Sequence, residues 1–290
     1  MKNIPLIFID TNIFLDFYRV RGKDAALGLL QHIDGNHDII IGTMQVEMEF
    51  KKNRQKTILD ALKQLEPNWG GMSQIPSLLL EAQPSEMIEK SKGEIKRQIG
   101  ALRTRVDRML RNPAQHDPVY KVAQRLFKEK NDLQLNRSVA RRKVIRAKAF
   151  RRFLMGYPPR KASDTSYGDA INWEWVVECA STKSRDIVIV SRDSDYGMMV
   201  SGEPVLNDWL LQEFKERVSR KRKIRLTDRL AEAFKRAAVR VTKTEEKEEE
   251  GLIRELPQAP VQASSGTFET LLHDYLSAWP SPIPGGSKKP

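Results

Sequence analysis

Three short apolar runs, residues 5–9, 38–41 and 186–190, have the length of β-strands, and the segments between them carry helical spacing. Runs that are almost wholly apolar suit strands buried on both faces, the condition of a parallel sheet covered by helices. After the first run, Ile13, Phe14, Phe17 and Tyr18 fall on one helical face, and residues 25–33 repeat the pattern after Gly22. Gly42-Thr43 opens a helix to about residue 65, with Thr43 as its N-cap. Residues 169–180 and 226–241 read as two more helices. Strands alternating with helices predict an α/β fold around a central parallel sheet.

Composition narrows the function classes. Of the 290 residues, 40% are hydrophobic and 30% charged, the balance of a soluble globular chain. No apolar run approaches the roughly 18 residues of a spanning helix, and the apolar start is cut short at Asp10, so no membrane partner and a cytoplasmic location are expected. Cys179 is the only cysteine, which excludes an internal disulfide and a thiolate zinc cluster. His32, His37, His116 and His273 lack ligand spacing, so any metal chemistry falls to carboxylates.

The net charge of +12 favours a polyanionic partner, of which nucleic acid is the commonest. That charge is concentrated: residues 90–161 hold 22 Lys and Arg against 5 Asp and Glu, which leaves the rest of the chain net acidic. Ile95, Ile99, Leu102, Val106 and Met109 step by 4, 3, 4 and 3, an amphipathic helix that Asn112-Pro113 breaks. Asp117-Pro118 then reads as an N-cap with proline at the first helical position. A basic helical hairpin inserted at about residues 80–156 is expected. Arg141, Arg142, Lys143, Arg146, Arg151 and Arg152 are its candidates for phosphate contacts.

Past residue 242 come an acidic run, 245–250, and a Pro/Ser/Gly-rich stretch. This places one domain at 1–242 and a mostly disordered tail, dispensable for chemistry, at 243–290. Within the tail, Phe268, Leu271, Leu272, Tyr275, Leu276 and Trp279 fall at helical spacing over 267–279, a candidate contact for a protein partner.

In an open parallel sheet the functional groups collect beyond the carboxyl ends of the strands. Asp10 follows the first strand, and Asp193 and Asp195 follow the strand at 186–190. Asp169 opens a helix, and Glu47 or Glu49 lies early in the helix after the second strand. These two glutamates are about 200° apart on a helix, so only one faces the rim. Carboxylates gathered in this way repel unless a cation intervenes, and Mg2+ or Mn2+ prefers such oxygen ligands. Asp16, Asp164 and Glu174 are further carboxylates close to these segments.

As an ordered set, Ile7-Phe8-Ile9-Asp10-Thr11-Asn12, Val46-Glu47-Met48-Glu49-Phe50, Tyr167-Gly168-Asp169-Ala170 and Ser191-Arg192-Asp193-Ser194-Asp195-Tyr196 resemble the acidic motifs of PIN-domain nucleases. The resemblance covers about residues 4–75 and 157–240, and is greatest to larger bacterial PIN-like proteins that carry an insertion. It implies an α/β/α sandwich and metal-dependent hydrolysis of phosphodiesters, usually in RNA. It implies that Asp10, Glu49, Asp169 and Asp193 hold Mg2+ or Mn2+, directly or through water. Thr11 and Asn12 would position Asp10 and the scissile phosphate, and Ser191 would support the last acidic loop. Glu49 is preferred because Glu-Phe-x-x-Asn-Arg is similar to the family pattern, with Asn53 four residues on along the same face. Asp195 would stand behind Asp193. A structure-selective DNase and a nucleic-acid-binding protein without catalysis stay open, because Lys and Arg read the phosphates of either polymer.

Overall fold

The computed structural model describes residues 4–19, 23–63, 77–79, 82–159 and 166–255. Its order is β1 (Leu6–Ile9), α1 (Thr11–Asp16), α2 (Lys23–Gly35), β2 (Ile40–Thr43), α3 (Met44–Lys63), α4 (Gln83–Arg111), α5 (Pro113–His116), α6 (Pro118–Lys128) and β3 (Gln134–Leu135). Then follow α7 (Arg142–Leu154), α8 (Gly168–Lys183), β4 (Ile187–Val190), β5 (Gly197–Val200), β6 (Glu203–Leu206), α9 (Asp208–Arg217), β7 (Ile224–Thr227), α10 (Leu230–Arg236) and α11 (Lys243–Glu255). Five strands form one parallel sheet in the order β3-β2-β1-β4-β7, flanked by helices, while β5 and β6 make a separate antiparallel pair. This is the α/β architecture that the apolar runs predict.

Every residue of β1, β2 and β4 is buried, as strands covered on both faces must be. The chain runs outward from β1 to β2 and β3, then returns to place β4 on the other side of β1. That reversal makes the β1/β4 junction the topological switch point, where the crevice of such a sheet opens. Ile9 pairs with Val190, so the residues that follow, Asp10 and Ser191, leave the sheet side by side.

The segment from 80 to 156 differs from the expected hairpin. The long helix α4 is largely exposed, with Ile95 43% and Leu102 45% accessible. The rest of the segment belongs to the body. Helix α6 buries Val119, Val122, Ala123, Leu126 and Phe127 in the core, and β3 extends the sheet edge beside β2. An apolar stripe that finds the core has more of its surface removed from water there than it would in a two-helix hairpin. The expected cap at Asp117 is present, accepting from the Tyr120 amide at 3.0 Å. Arg54 of α3 reaches the same carboxylate at 2.6 Å and the Met109 carbonyl at 2.7 Å, lies over the rings of Tyr18 and Tyr120, and so ties the segment down.

Two corrections concern the C-terminal third. Residues 226–241 do not form one helix: Ile224–Thr227 pairs with β4 as the edge strand β7, and α10 begins at Leu230. Nor does the ordered chain stop at 242. The acidic run lies on α11, which packs against α2 and α10. Glu249 accepts from the Leu230 and Ala231 amides at 2.7 and 2.9 Å, filling the open N-terminus of α10. Glu245 lies against α2 at Gly28, where an added Cβ would come within 1.8 Å of its carboxylate oxygen. The acidic run is thus held by helix-end amides and cations, partners that only packing supplies. Residues 256–290, including Phe268–Trp279, lie outside the described residues.

Candidate active site

Asp10 is the N-cap of α1, in extended backbone conformation, and its side chain accepts from the Thr11 amide at 2.7 Å. Its other oxygen accepts from the Ser191 hydroxyl at 2.6 Å and from the Asn12 amide at 3.0 Å. The Ser191 hydroxyl also receives the Asp193 backbone N–H at 3.1 Å, so one serine joins the β1 and β4 loops. Thr11 donates to Glu49 at 2.9 Å, and Gln45, one turn earlier on α3, donates to the other Glu49 oxygen at 2.6 Å. A Cβ on Gly168 would fall 2.9 Å from Glu49 and 2.3 Å from the Gln45 amide. Glycine at that position lets α8, with Asp169 in its first turn, approach α3 this closely.

The termini of four elements therefore meet at the switch point, linked through Asp10, Thr11, Glu49 and Ser191. Of the two α3 candidates, Glu49 faces this cluster, whereas Glu47 pairs with Lys51 at 2.6 Å on the solvent side. Asn53 is exposed one turn further along. Asp195 is buried close by, and Tyr196 beneath it is fully buried. Asp16 instead bonds Arg19 and Arg192, and Asp164 lies outside the described residues.

The electrostatics follow from the crowding. Burial pushes the Asp10 carboxyl up to about 7; the Ser191 and Thr11 donors pull against this, and the charges of Asp193 and Glu49 add to it. Burial also raises the Tyr196 phenol, reinforced by the charges of Asp169, Asp10, Asp195 and Glu49. The Tyr196 hydroxyl has no hydrogen-bond partner among the described residues. Among those residues, no group of three His, Cys, Asp or Glu is arranged to hold a metal ion by itself. Protein donors occupy the Asp10 and Glu49 oxygens instead. An all-oxygen donor set with excess negative charge and an orphaned buried hydroxyl fits a hydrated divalent cation, since Mg2+ keeps several of its waters.

The basic residues divide. Lys143, Arg146 and Arg151 are exposed on α7, and Arg146 donates to the Tyr167 hydroxyl at 3.0 Å, two residues before Asp169. Arg141 is exposed but paired with Glu178, and Arg142 rests near the Met44 sulfur. Arg152 is a correction: it is 5% accessible and bonded to Glu174, Glu213 and the Pro158 carbonyl, out of reach of a phosphate backbone. Glu174 is likewise engaged. Burial alone would raise its carboxyl, but Arg217 and Arg152 outweigh burial and hold it below the usual range. Arg152→Ala leaves two carboxylates facing each other without this cation and should cost about 3–5 kcal/mol in a denaturant melt. Arg151→Ala on the solvent side should stay within about 0.5 kcal/mol.

Sequence reasoning missed Gln45, whose signal is a donor one helical turn before Glu49, and it gave Gly168 and Tyr196 no role although both lie inside the quoted motifs. Cys179 is buried in α8, and burial pushes its thiol up, away from the reactive range. No described helix is long and apolar enough to cross a membrane. No curated protein and no solved structure matches the chain. The family model described as PIN domain does match, over residues 7–196, which includes Asp10, Glu49, Asp169, Asp193 and the whole of the basic segment between them. With most of its length covered and its acidic residues gathered at the sheet's switch point, the chain belongs to the PIN-domain family.

Proposed function

We propose that this protein is a metal-dependent endonuclease acting on RNA, with Asp10, Glu49, Asp169 and Asp193 as the residues that hold Mg2+ or Mn2+, directly or through water. The observation that carries this reading is the hydrogen-bonded link Glu49–Thr11–Asp10–Ser191–Asp193 at the β1/β4 switch point. PIN domains are in general nucleases, and nucleic acid as substrate accords with the exposed cations of α7. A divalent cation at this rim supplies Lewis acidity toward the scissile phosphate and the attacking water.

The chain's own residues do the positioning. Thr11, Asn12 and Ser191 fix both oxygens of Asp10, and Thr11 with Gln45 fixes Glu49, so these carboxylates are oriented before substrate arrives. Lys143, Arg146 and Arg151 attract the phosphate backbone without reading sequence. The test is incubation of the purified protein with labelled single- and double-stranded RNA and DNA, in Mg2+, in Mn2+ and in EDTA. Cleavage of RNA only with a divalent ion supports the reading. Binding without cleavage in every condition would favour a catalytically silent member, and DNA cleavage would change the substrate.

Glu49→Gln and Glu47→Gln separate the two faces of α3. The first should lower cleavage on the order of a hundredfold, the scale of losing one preorganised contact. The second, which disturbs only a surface pair, should change it less than about twofold. Initial rates at saturating Mg2+ decide between them, and the reverse order would show that the rim lies on the other face.

A further inference from the structure

Beyond the acidic rim, one pair of aromatic rings lies partly exposed on the surface, each packed against the other. Tyr157 and Trp209 are 39% and 47% accessible, with ring centroids 5.1 Å apart and planes at 31°. We propose that Tyr157 and Trp209 form a stacking platform for an unpaired base of a single-stranded nucleic acid whose phosphates run along the exposed cations of α7. The inference rests on the nuclease reading and specifies the form of its substrate.

The rings are mounted rigidly. Tyr157 stands in the turn directly after α7, where buried Arg152 donates to the Pro158 carbonyl and to Glu213 of α9. Glu213 also accepts from Trp173 at 3.1 Å, so the turn and α9 are fastened to the same buried group. Asn207 caps α9 by accepting from the Trp209 amide at 3.0 Å. Rings fixed before binding lose little freedom when a base settles on them.

Two separate connections tie the segments that carry these rings to the segments of the rim. The Asn207 amide donates to the Tyr196 carbonyl at 2.9 Å, two residues from Trp209, and Tyr196 lies beneath the carboxylates. On the other side, Tyr167 packs against Phe150 and Phe153 at the end of α7, and Asp169 is two residues further on.

Charge selects the occupant. Residues 142–163 contain no Asp or Glu, and α7 exposes Lys143, Arg146 and Arg151. A polyanion with flat apolar groups matches a cationic helix that ends in paired rings. Asp208, exposed next to Trp209, repels phosphate and leaves the base to meet the rings. In a duplex both faces of each base are already stacked, so the platform serves unpaired strands.

The test compares full-length wild type with Trp209→Ala, Tyr157→Ala and Trp209→Phe. Binding of short fluorescent RNA strands, matching duplexes and strands with abasic sites is measured in EDTA. Trp209→Ala should weaken single-strand binding about tenfold, leave duplex binding unchanged and keep the same salt slope, while Trp209→Phe retains most of the affinity. Abasic strands should bind wild type as weakly as intact strands bind Trp209→Ala. Melting curves near wild type confirm folding, since both rings are exposed. Equal affinity in the alanine variants, or equal losses on strand and duplex, would overturn the platform. Base-dependent binding by a wild type that cleaves nothing would retire the nuclease reading and leave the platform standing. Cleavage that is unaffected in Trp209→Ala, together with unchanged binding, would do the reverse.

Discussion

Asp10→Asn should abolish cleavage, by on the order of a thousandfold or more, and at the same time make the metal-free protein more stable at pH 8. On the proposed metal-dependent reading, the loss of activity follows from removing the carboxylate at the centre of the rim, where the cation's charge would be balanced. The gain in stability follows from linkage. Asp10 has its carboxyl pushed up from 3.8 to about 7 in the folded chain, mainly by burial, so the folded state binds the proton more tightly than the unfolded one. Stability therefore falls as pH rises between about 4 and 7, and the full penalty is present above that window. A shift of this size corresponds to at most on the order of 4 kcal/mol. Asparagine is neutral at every pH, so the variant escapes the penalty at pH 8 and gains nothing at pH 4. Thermal melts in EDTA at both pH values, with and without added Mg2+, check the sign. Mg2+ should stabilise wild type more than the variant. A variant that is less stable than wild type at pH 8 in EDTA would mean that hydrogen bonds to Asp10 outweigh its burial.

Ending the chain at residue 242 should destabilise the protein severely, whereas ending it at 255 should not. The longer form keeps α11, and with it Glu249 at the open end of α10 and against Arg192 at 3.1 Å. Arg192 lies between Ser191 and Asp193, and it also pairs with Asp16 of α1. Without α11, two helix-end amides lose their acceptor and the half-buried Arg192 guanidinium loses one of its two carboxylates, while the faces of α2 and α10 open to water. Glu249→Ala alone removes the capping and the ion pair, for which about 2–3 kcal/mol is expected, or a fall of roughly 5–10 °C in Tm. The full truncation should exceed that and also lower cleavage, since the loop that carries Asp193 loses a tether. Burial raises the Glu249 carboxyl despite its partners, so part of its contribution is offset by desolvation. A stable, fully active 1–242 protein would show that α11 is an accessory to the fold.

Two features of the chain were readable because they are local. The apolar runs that become β1, β2 and β4 are buried at every position, and a residue at the end of a strand in a parallel sheet can only emerge at the carboxyl rim. Asp10 and Ser191 are placed by that rule alone. The α3 geometry is equally local: Glu47 and Glu49 are opposed by helical rotation, whichever faces inward. Other features depend on segments far apart in the chain. Residues 226–241 have helical spacing, yet β4 had an open edge and drew Ile224–Thr227 into the sheet. Arg151 and Arg152 are indistinguishable as neighbours in a basic run. One faces water and the other is buried, because Glu174 and Glu213 arrive from α8 and α9 to surround it. The acidic run of α11 reads as solvated tail until the end of α10 offers it bare amides. Periodicity and strand ends are properties of a few consecutive residues, so the sequence by itself determined the α/β sheet and the rim of carboxylates. The fate of each charge was decided only by the tertiary structure, because burial is favourable for an ion just where distant elements deliver its counter-charge.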